Sequence, residues 1–253
     1  MSQTVTPATT SELDRTTVGN YFVSNYPPFA YWQRENAGEA LAAMALPPKP
    51  GTPLGLYVHV PFCRKRCHFC YFKVYTGRNS KEVGTYLEGL EREIELYAKL
   101  PLIGGRKLNF VYFGGGTPSY LSTSQLQQVS SFIQARLPWD EVEEITFECE
   151  PGTLNAHKLK VIKDLGVTRL SLGVENFDDH VLEINGRAHR SGEIGRAYGT
   201  ARELGFAQIN IDLIAGMVEE TDDNWRDTVA KAIAMAPDSI TIYQMEVPYN
   251  TTM

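Results

Sequence analysis

Leu54-Gly55-Leu56-Tyr57-Val58-His59-Val60-Pro61-Phe62-Cys63-Arg64-Lys65-Arg66-Cys67-His68-Phe69-Cys70 is the stretch on which the reading of this chain turns. Its first half, LGLYVHV, is a short apolar run, rich in the β-branched and aromatic residues of a buried strand. Its second half holds three of the chain's four cysteines within eight residues, spaced C-x-x-x-C-x-x-C. Thiolates this close on one loop suit a single metal centre and are too crowded for a disulfide framework; the fourth, Cys149, is remote in sequence. Three ligands are one short of a structural zinc site and one short of the four cysteines of an ordinary iron–sulfur cluster. The spacing therefore suggests a cluster with one iron open to an outside ligand. Zinc completed by His68 or by a distant residue is the alternative.

From Leu54 onward, strands and helices alternate. LNFVYFG, EITFECE, TRLSLGV, INIDLIAG and SITIYQMEV follow LGLYVHV as apolar strand candidates. Between them lie helical patterns at about 81–99, 123–136, 155–165, 178–204 and 223–234. Ser122-Thr123-Ser124-Gln125 offers a capping box for the second of these. Six strands alternating with helices predict parallel βαβ units, and apolar runs without strict alternation suit a sheet buried on both faces.

Unusual residues gather at the ends of these strands. The cysteines follow the first, and Gly114-Gly115-Gly116-Thr117-Pro118 the second. Glu148 and Glu150 close the third, Glu175-Asn176 the fourth; Asp212 lies in the fifth, and Gln244 and Glu246 end the sixth. Ligands bind outside the carboxyl ends of strands in parallel sheets and barrels, so these residues predict one shared site. GGGTP exposes backbone groups to a ligand, but no Lys-Ser/Thr pair follows to make it a P-loop.

Before this domain, residues 1–17 are polar and read as a disordered tail. Residues 18–53 form an arm and linker dense in aromatics and prolines, with a short helix at about 36–45. The arm is read either as packing on the outside of the domain of residues 54–253 or as a flap over its mouth.

With 253 residues, 43% of them hydrophobic, the chain can bury a substantial core. It has no run of about 18 apolar residues to span a membrane, and no basic start with an apolar core to act as a secretory signal. Clustered cysteines fit a reducing, cytoplasmic setting. A net charge of −6 argues against general nucleic-acid binding. Against that acidic background, Arg64, Lys65, Arg66, Lys73 and Arg78 read either as a solvated loop or as a mouth for an anionic ligand.

The cysteine loop and GGGTP together resemble the radical S-adenosylmethionine (SAM) superfamily. More narrowly, YVHVPFCRKRCHFCYF, FVYFGGGTPSYL, ITFECEPGTL, LSLGVENFDDHVLEINGRAH and INIDLIAGM are similar, in order, to the oxygen-independent coproporphyrinogen III oxidase group. The resemblance covers about 54–250 and implies a partial (β/α)6 barrel. It implies a [4Fe–4S] cluster on Cys63, Cys67 and Cys70, with SAM on the fourth iron, cleaved to methionine and a 5′-deoxyadenosyl radical. By the same resemblance Gly115, Gly116 and Thr117 hold the methionine end, Tyr57 and Phe69 lie by cluster and adenine, and Glu148 and Asp212 bind ribose hydroxyls. Arg187 reaches the SAM carboxylate, and Glu175 joins the cofactor site and is the candidate catalytic group. The implied partners are an anionic tetrapyrrole, coproporphyrinogen or haem, and a reduced flavodoxin- or ferredoxin-type donor.

Two departures stand out. The group's decarboxylating oxidases carry a further cysteine where this chain has Phe72, and tend to carry glutamine where it has Glu175. The haem-chaperone branch has an aromatic at the first position, and methyltransferase branches are a further alternative. The chain stops soon after its sixth strand, where members of the group continue, so a partial sequence without its C-terminal domain is expected. A zinc-stabilised binding module is the remaining alternative, from a different class.

Overall fold

The computed structural model describes residues 33–247. The aromatic stretch up to residue 32, with its flap or packing role, and the last residues from 248 lie outside the described residues. The described residues divide into two units at Pro47 and Pro48. In the first, a 3-10 turn at Arg34–Asn36 leads into α1, Ala37–Met44, where the short helix is expected.

The second unit is built on a six-stranded parallel sheet. Its strands are β1 (Gly55–Val60), β4 (Phe110–Gly115), β5 (Glu144–Cys149), β6 (Arg169–Glu175), β7 (Gln208–Ala215) and β8 (Ser239–Gln244), neighbours in that order. Parallel neighbours cannot be joined by a hairpin and need a crossover. The crossovers carry α2 (Ser80–Ala98), α3 (Thr123–Gln134), α4 (Ala156–Asp164), α5 (Asp179–Ile184), α6 (Ser191–Glu203) and α7 (Asp222–Ala234). The result is the partial (β/α)6 barrel that the sequence implies. The helix starts are specified locally. Ser122 Oγ accepts from the Gln125 amide at 3.2 Å, while Gln125 Oε1 accepts from the Ser122 amide at 2.9 Å. Asn79 and Glu82 form the same reciprocal cap on α2.

Two features depart from the sequence reading. The helical pattern at 178–204 is split into α5 and α6 by the Asn185–Arg190 loop, which carries Arg187. Inside the cysteine loop, β2 (Phe62–Cys63) pairs in parallel with β3 (Tyr75–Thr76), a two-residue ladder too short for any hydrophobic period to reveal.

The strands also alternate more strictly than their apolar runs suggest. On β5, Ile145, Phe147 and Cys149 lie in the hydrophobic core, whereas Thr146 and Glu148 take the opposite positions of the pleat. On β6 and β7 the core takes Leu170, Leu172, Val174, Ile209, Ile211 and Leu213; Ser171, Gly173, Asn210 and Asp212 alternate with them. Register sets the second group side by side: Glu148 opposite Ser171, Ser171 opposite Asn210, Gly173 opposite Asp212. The core side is densely aromatic at its centre, with Phe113 packed on Phe147 at 5.3 Å and edge-on to Trp139 at 6.2 Å. One face of the sheet thus holds the fold together, and the other is free for chemistry.

Candidate functional site

The cysteine loop leaves β1 through Pro61 and is fixed at three points. Cys63 lies on β2. The His68 amide donates to the Asn185 carbonyl at 3.0 Å, and the His68 ring contacts the Ile184 carbonyl through Nδ1 at 2.8 Å. Gly186 (φ +79°) permits this, since a β-carbon there would fall 2.8 Å from the His68 ring. Arg64 reaches across to the end of β5, where Nε and Nη2 donate to Glu150 at 2.9 and 2.6 Å; Nη2 also donates to the Ala188 carbonyl at 3.2 Å. This fork geometry makes Arg64 a clasp for the loop rather than a free cation.

Each glycine of GGG makes room for a particular neighbour. A β-carbon at Gly115 (φ +112°) would meet the His59 ring at 2.7 Å, and one at Gly116 would meet the Phe62 carbonyl at 2.9 Å and Cys63 Sγ at 3.0 Å. The end of β4 therefore lies directly against a cluster-loop sulfur, and the next residue, Thr117, donates through Oγ1 to Cys63 Sγ at 3.4 Å. Arg187 Nη1 donates to Cys67 Sγ at 3.3 Å. Burial pushes the Cys63 thiol up to about 11, against the pull of the Thr117 hydroxyl, and burial also raises Cys70.

Two adjoining cavities open here. One, of about 200 Å³, is lined by Cys63, Cys67, Cys70, Phe69, Lys65 and Arg66, among others. The second, of about 240 Å³, adds Glu148, Ser171, Gly173, Asp212 and Tyr243; Phe72, Gly116, Thr117, Glu150, Glu175 and Arg187 line both. The carboxylates are held in place from behind. Tyr112 donates to Glu148 at 2.5 Å. Ser171 donates to Asp212 Oδ2 at 2.7 Å and Asn210 to its Oδ1 at 2.9 Å. Burial is the main cause that raises both Glu148 and Asp212 above the usual carboxylate range, and their mutual repulsion adds to the rise of Glu148. Glu175 is pushed up to about 7, first by burial and then, against the pull of Arg187, by Asp212 and Glu148.

Phe69, Gly115, Gly116, Thr117, Glu148, Glu175, Arg187 and Asp212 thus meet the three cysteines in one place. Tyr57 lines neither cavity; it packs on Tyr112 at 5.9 Å and shares a hydrogen bond with His59 Nδ1 at 3.0 Å. Arg187, expected at the SAM carboxylate, already has both terminal nitrogens engaged within the protein. Nη1 serves Cys67, Nη2 serves the Gly173 carbonyl at 2.8 Å and Glu175 at 3.2 Å, and buried Nε is left without a partner. Of the five cations, Lys65 and Arg66 line the first cavity. Lys73 and Arg78 lie over the Tyr75 ring at 5.8 and 5.4 Å. Tyr112, Ser171 and Asn210 escape a reading by motif, and strand alternation beside Glu148 and Asp212 is the signal that finds them; the role of Glu150 has no such signal, because its partner Arg64 lies 86 residues away.

These residues fit a cluster with SAM beside it. Hydrogen-bond donors point at two of the three sulfurs, glycine clears a third dimension of space at Cys63, and the orphaned Arg187 Nε awaits an acceptor. Among the described residues no three Cys, His, Asp or Glu side chains come close enough to share one metal ion. A multi-iron cluster, broader than an ion, holds its thiolates further apart. His68, the local candidate for a fourth zinc ligand, lines neither cavity.

The radical SAM superfamily model matches residues 57–232, and the chain belongs to that superfamily. Coproporphyrinogen III oxidases and haem chaperones are among the proteins the chain is similar to. It is 32% identical over 85% of its length to the oxygen-independent coproporphyrinogen III oxidase of Escherichia coli, and 36% identical over 77% to the heme chaperone HemW of Bacillus subtilis. The matches cover 47% and 51% of those proteins, so the chain spans about half the length of the curated relatives it matches. The solved structure of E. coli HemN superposes with a TM-score of 0.81 at 30% identity, covering 89% of this chain and 51% of that one. The methyltransferase TsrM of Kitasatospora setae, at 16% identity and a TM-score of 0.55 over 80% of this chain and 38% of that one, shares the fold alone.

Proposed function

We propose that this protein is a radical SAM enzyme acting on an anionic tetrapyrrole in haem metabolism. The observation that carries this reading is a pair of adjoining cavities that share Thr117, Glu175 and Arg187, one lined by Cys63, Cys67 and Cys70 and the other by Glu148 and Asp212. When bound, a [4Fe–4S] cluster with SAM supplies one-electron cleavage of SAM and hydrogen abstraction by the resulting 5′-deoxyadenosyl radical.

The chain's own residues prepare that chemistry. Cys63, Cys67 and Cys70 hold the cluster, while Thr117 and Arg187 donate to two of the sulfurs and ease their negative charge. Glu148 and Asp212, aimed by Tyr112, Ser171 and Asn210, accept from ribose hydroxyls. Gly115, Gly116 and Thr117 admit the methionine end, and Arg187 Nε remains to donate to its carboxylate. At the mouth, Phe72 stacks on Tyr71 with ring centres 4.4 Å apart, offering a flat apolar surface to a macrocycle. Lys65 and Arg66 beside it suit peripheral carboxylates. A flavodoxin- or ferredoxin-type protein is the proposed electron source.

A second reading, haem delivery, is favoured by Phe72, which stands where decarboxylating oxidases of the resembling group carry a cysteine. An aromatic ring can hold a macrocycle but cannot move a proton. Anaerobic turnover of the full-length protein with coproporphyrinogen III, and separately with haem, discriminates the two. Release of 5′-deoxyadenosine coupled to loss of substrate supports the enzyme. Stoichiometric haem binding without substrate-coupled 5′-deoxyadenosine supports delivery.

A further inference from the structure

Glu175 is held in its place at some cost. It ends β6 at a register shift between Gly173 and Glu175, and its φ of +66° is one that residues with a β-carbon avoid. Room for its carboxyl comes from Gly173, where a β-carbon would fall 2.9 Å from Glu175 Oε1 and 3.2 Å from Arg187 Nη2. The pair it makes with Arg187, at 3.2 Å, is nearly buried, with side-chain exposures of 11% and 12%.

Charge does not balance around this pair. The second cavity is lined by Glu148, Glu150, Glu175 and Asp212, with Arg187 the one lining cation. Arg64 offsets Glu150 through its fork, and Arg169 on β6 draws Asp212 down, which leaves Glu148, Glu175 and Asp212 facing two guanidiniums, Arg187 in the lining and Arg169 outside it. A neutral amide at 175 would keep the shape and the contact with Arg187 while removing one negative charge. The carboxylate leaves the chamber with a surplus that a cation can neutralise, in a partly dry space where such charges are weakly screened.

We infer that Glu175 makes this chamber selective for a positively charged ligand, favouring the sulfonium of SAM over the neutral thioether of S-adenosylhomocysteine. This deepens the reading proposed above and rests on it. A sulfonium nucleoside with a zwitterionic amino-acid end carries one net positive charge, and its thioether counterpart carries none. Shape barely separates the two, so the discrimination falls to charge. Glu175 acts here as a specificity residue that touches the ligand's field, with Gly173 and Arg187 positioning it.

The test is equilibrium binding at about pH 8.5, above the range in which Glu175 takes up its proton, to the anaerobically reconstituted full chain, with the cluster left oxidised so that SAM is not consumed. SAM, S-adenosylhomocysteine and sinefungin, which has an ammonium near the sulfonium position, are compared in wild type and E175Q. The wild type is expected to prefer SAM and sinefungin over S-adenosylhomocysteine by about tenfold or more. E175Q is expected to bind S-adenosylhomocysteine as before and to lose about tenfold for the two cations, closing most of the gap. Equal loss for all three ligands in E175Q would mean Glu175 only supports Arg187, and would overturn the inference while leaving the SAM site intact. Should E175Q fail to fold, the wild type decides alone: equal affinity for SAM and S-adenosylhomocysteine overturns the inference. Binding of none of the three by the wild type would overturn the SAM reading as well.

Discussion

Cys149 and Glu148 are chain neighbours on β5, yet they belong to different worlds. Cys149 is 4% exposed in the core beside Phe147, and burial drives its thiol far above the usual range. Glu148 faces the cavity, fastened by the Tyr112 hydroxyl and opposite Ser171 across the ladder. The same alternation runs across β6 and β7. Its lesson is that stability and chemistry are separated by one residue of register, so each can be altered without the other.

The largest effect comes from moving a sulfur between these worlds. Changing Cys63, Cys67 or Cys70 to Ala is expected to remove nearly all cluster iron and the visible absorption that comes with it. Cys149→Ala is expected to keep the iron and lose only about 1 kcal/mol of stability. Iron content and absorbance after anaerobic reconstitution check both. Loss of the cluster in the Cys149 variant would break the separation.

A second pair sharpens it on one strand. Phe147→Ala leaves a hole in the core and is expected to cost about 3–5 kcal/mol of stability. Glu148→Gln keeps the shape but weakens a hydrogen bond to a charged acceptor, which is worth about 1.5–3 kcal/mol in SAM binding. Thermal unfolding and SAM titration on both variants should show opposite patterns.

How much of this could be read in advance depends on the kind of signal. The six strands and their helices were legible because apolar runs and caps such as Ser122–Gln125 are local. The cysteine loop was legible because its spacing is. The Arg64–Glu150 clasp was not, since 86 residues separate its partners. Arg187 could be named by resemblance, but its sharing between Cys67, Gly173 and Glu175 depends on where the α5–α6 loop packs. The polar face is invisible to any single strand, because Thr, Ser and Asn at single positions look like ordinary variation until neighbouring strands align them.

The smallest effect concerns the strained residue on the chemical face. Glu175 titrates near 7 in the folded protein, against an ordinary value near 4.5, so the folded state binds the extra proton between those limits. Its contribution to stability is therefore full below about pH 4.5, declines as pH rises towards 7 and is flat above. E175Q is expected to flatten that decline and to gain on the order of 1 kcal/mol at pH 8, because one tenfold displacement of a titration is worth about 1.4 kcal/mol. Thermal midpoints of both forms from pH 5 to 8 measure it. An unchanged decline in E175Q would show that another group carries the pH dependence.

The central claim, that the polar face of the sheet is a working radical SAM site, is tested most directly by counting 5′-deoxyadenosine. The full-length protein, reconstituted anaerobically and reduced with dithionite, is mixed with SAM and coproporphyrinogen III. The expected result is 5′-deoxyadenosine from the wild type and none from Cys67→Ala, with little protoporphyrinogen IX formed because Phe72 replaces a thiol. A colourless protein that holds zinc and releases no 5′-deoxyadenosine would contradict the claim.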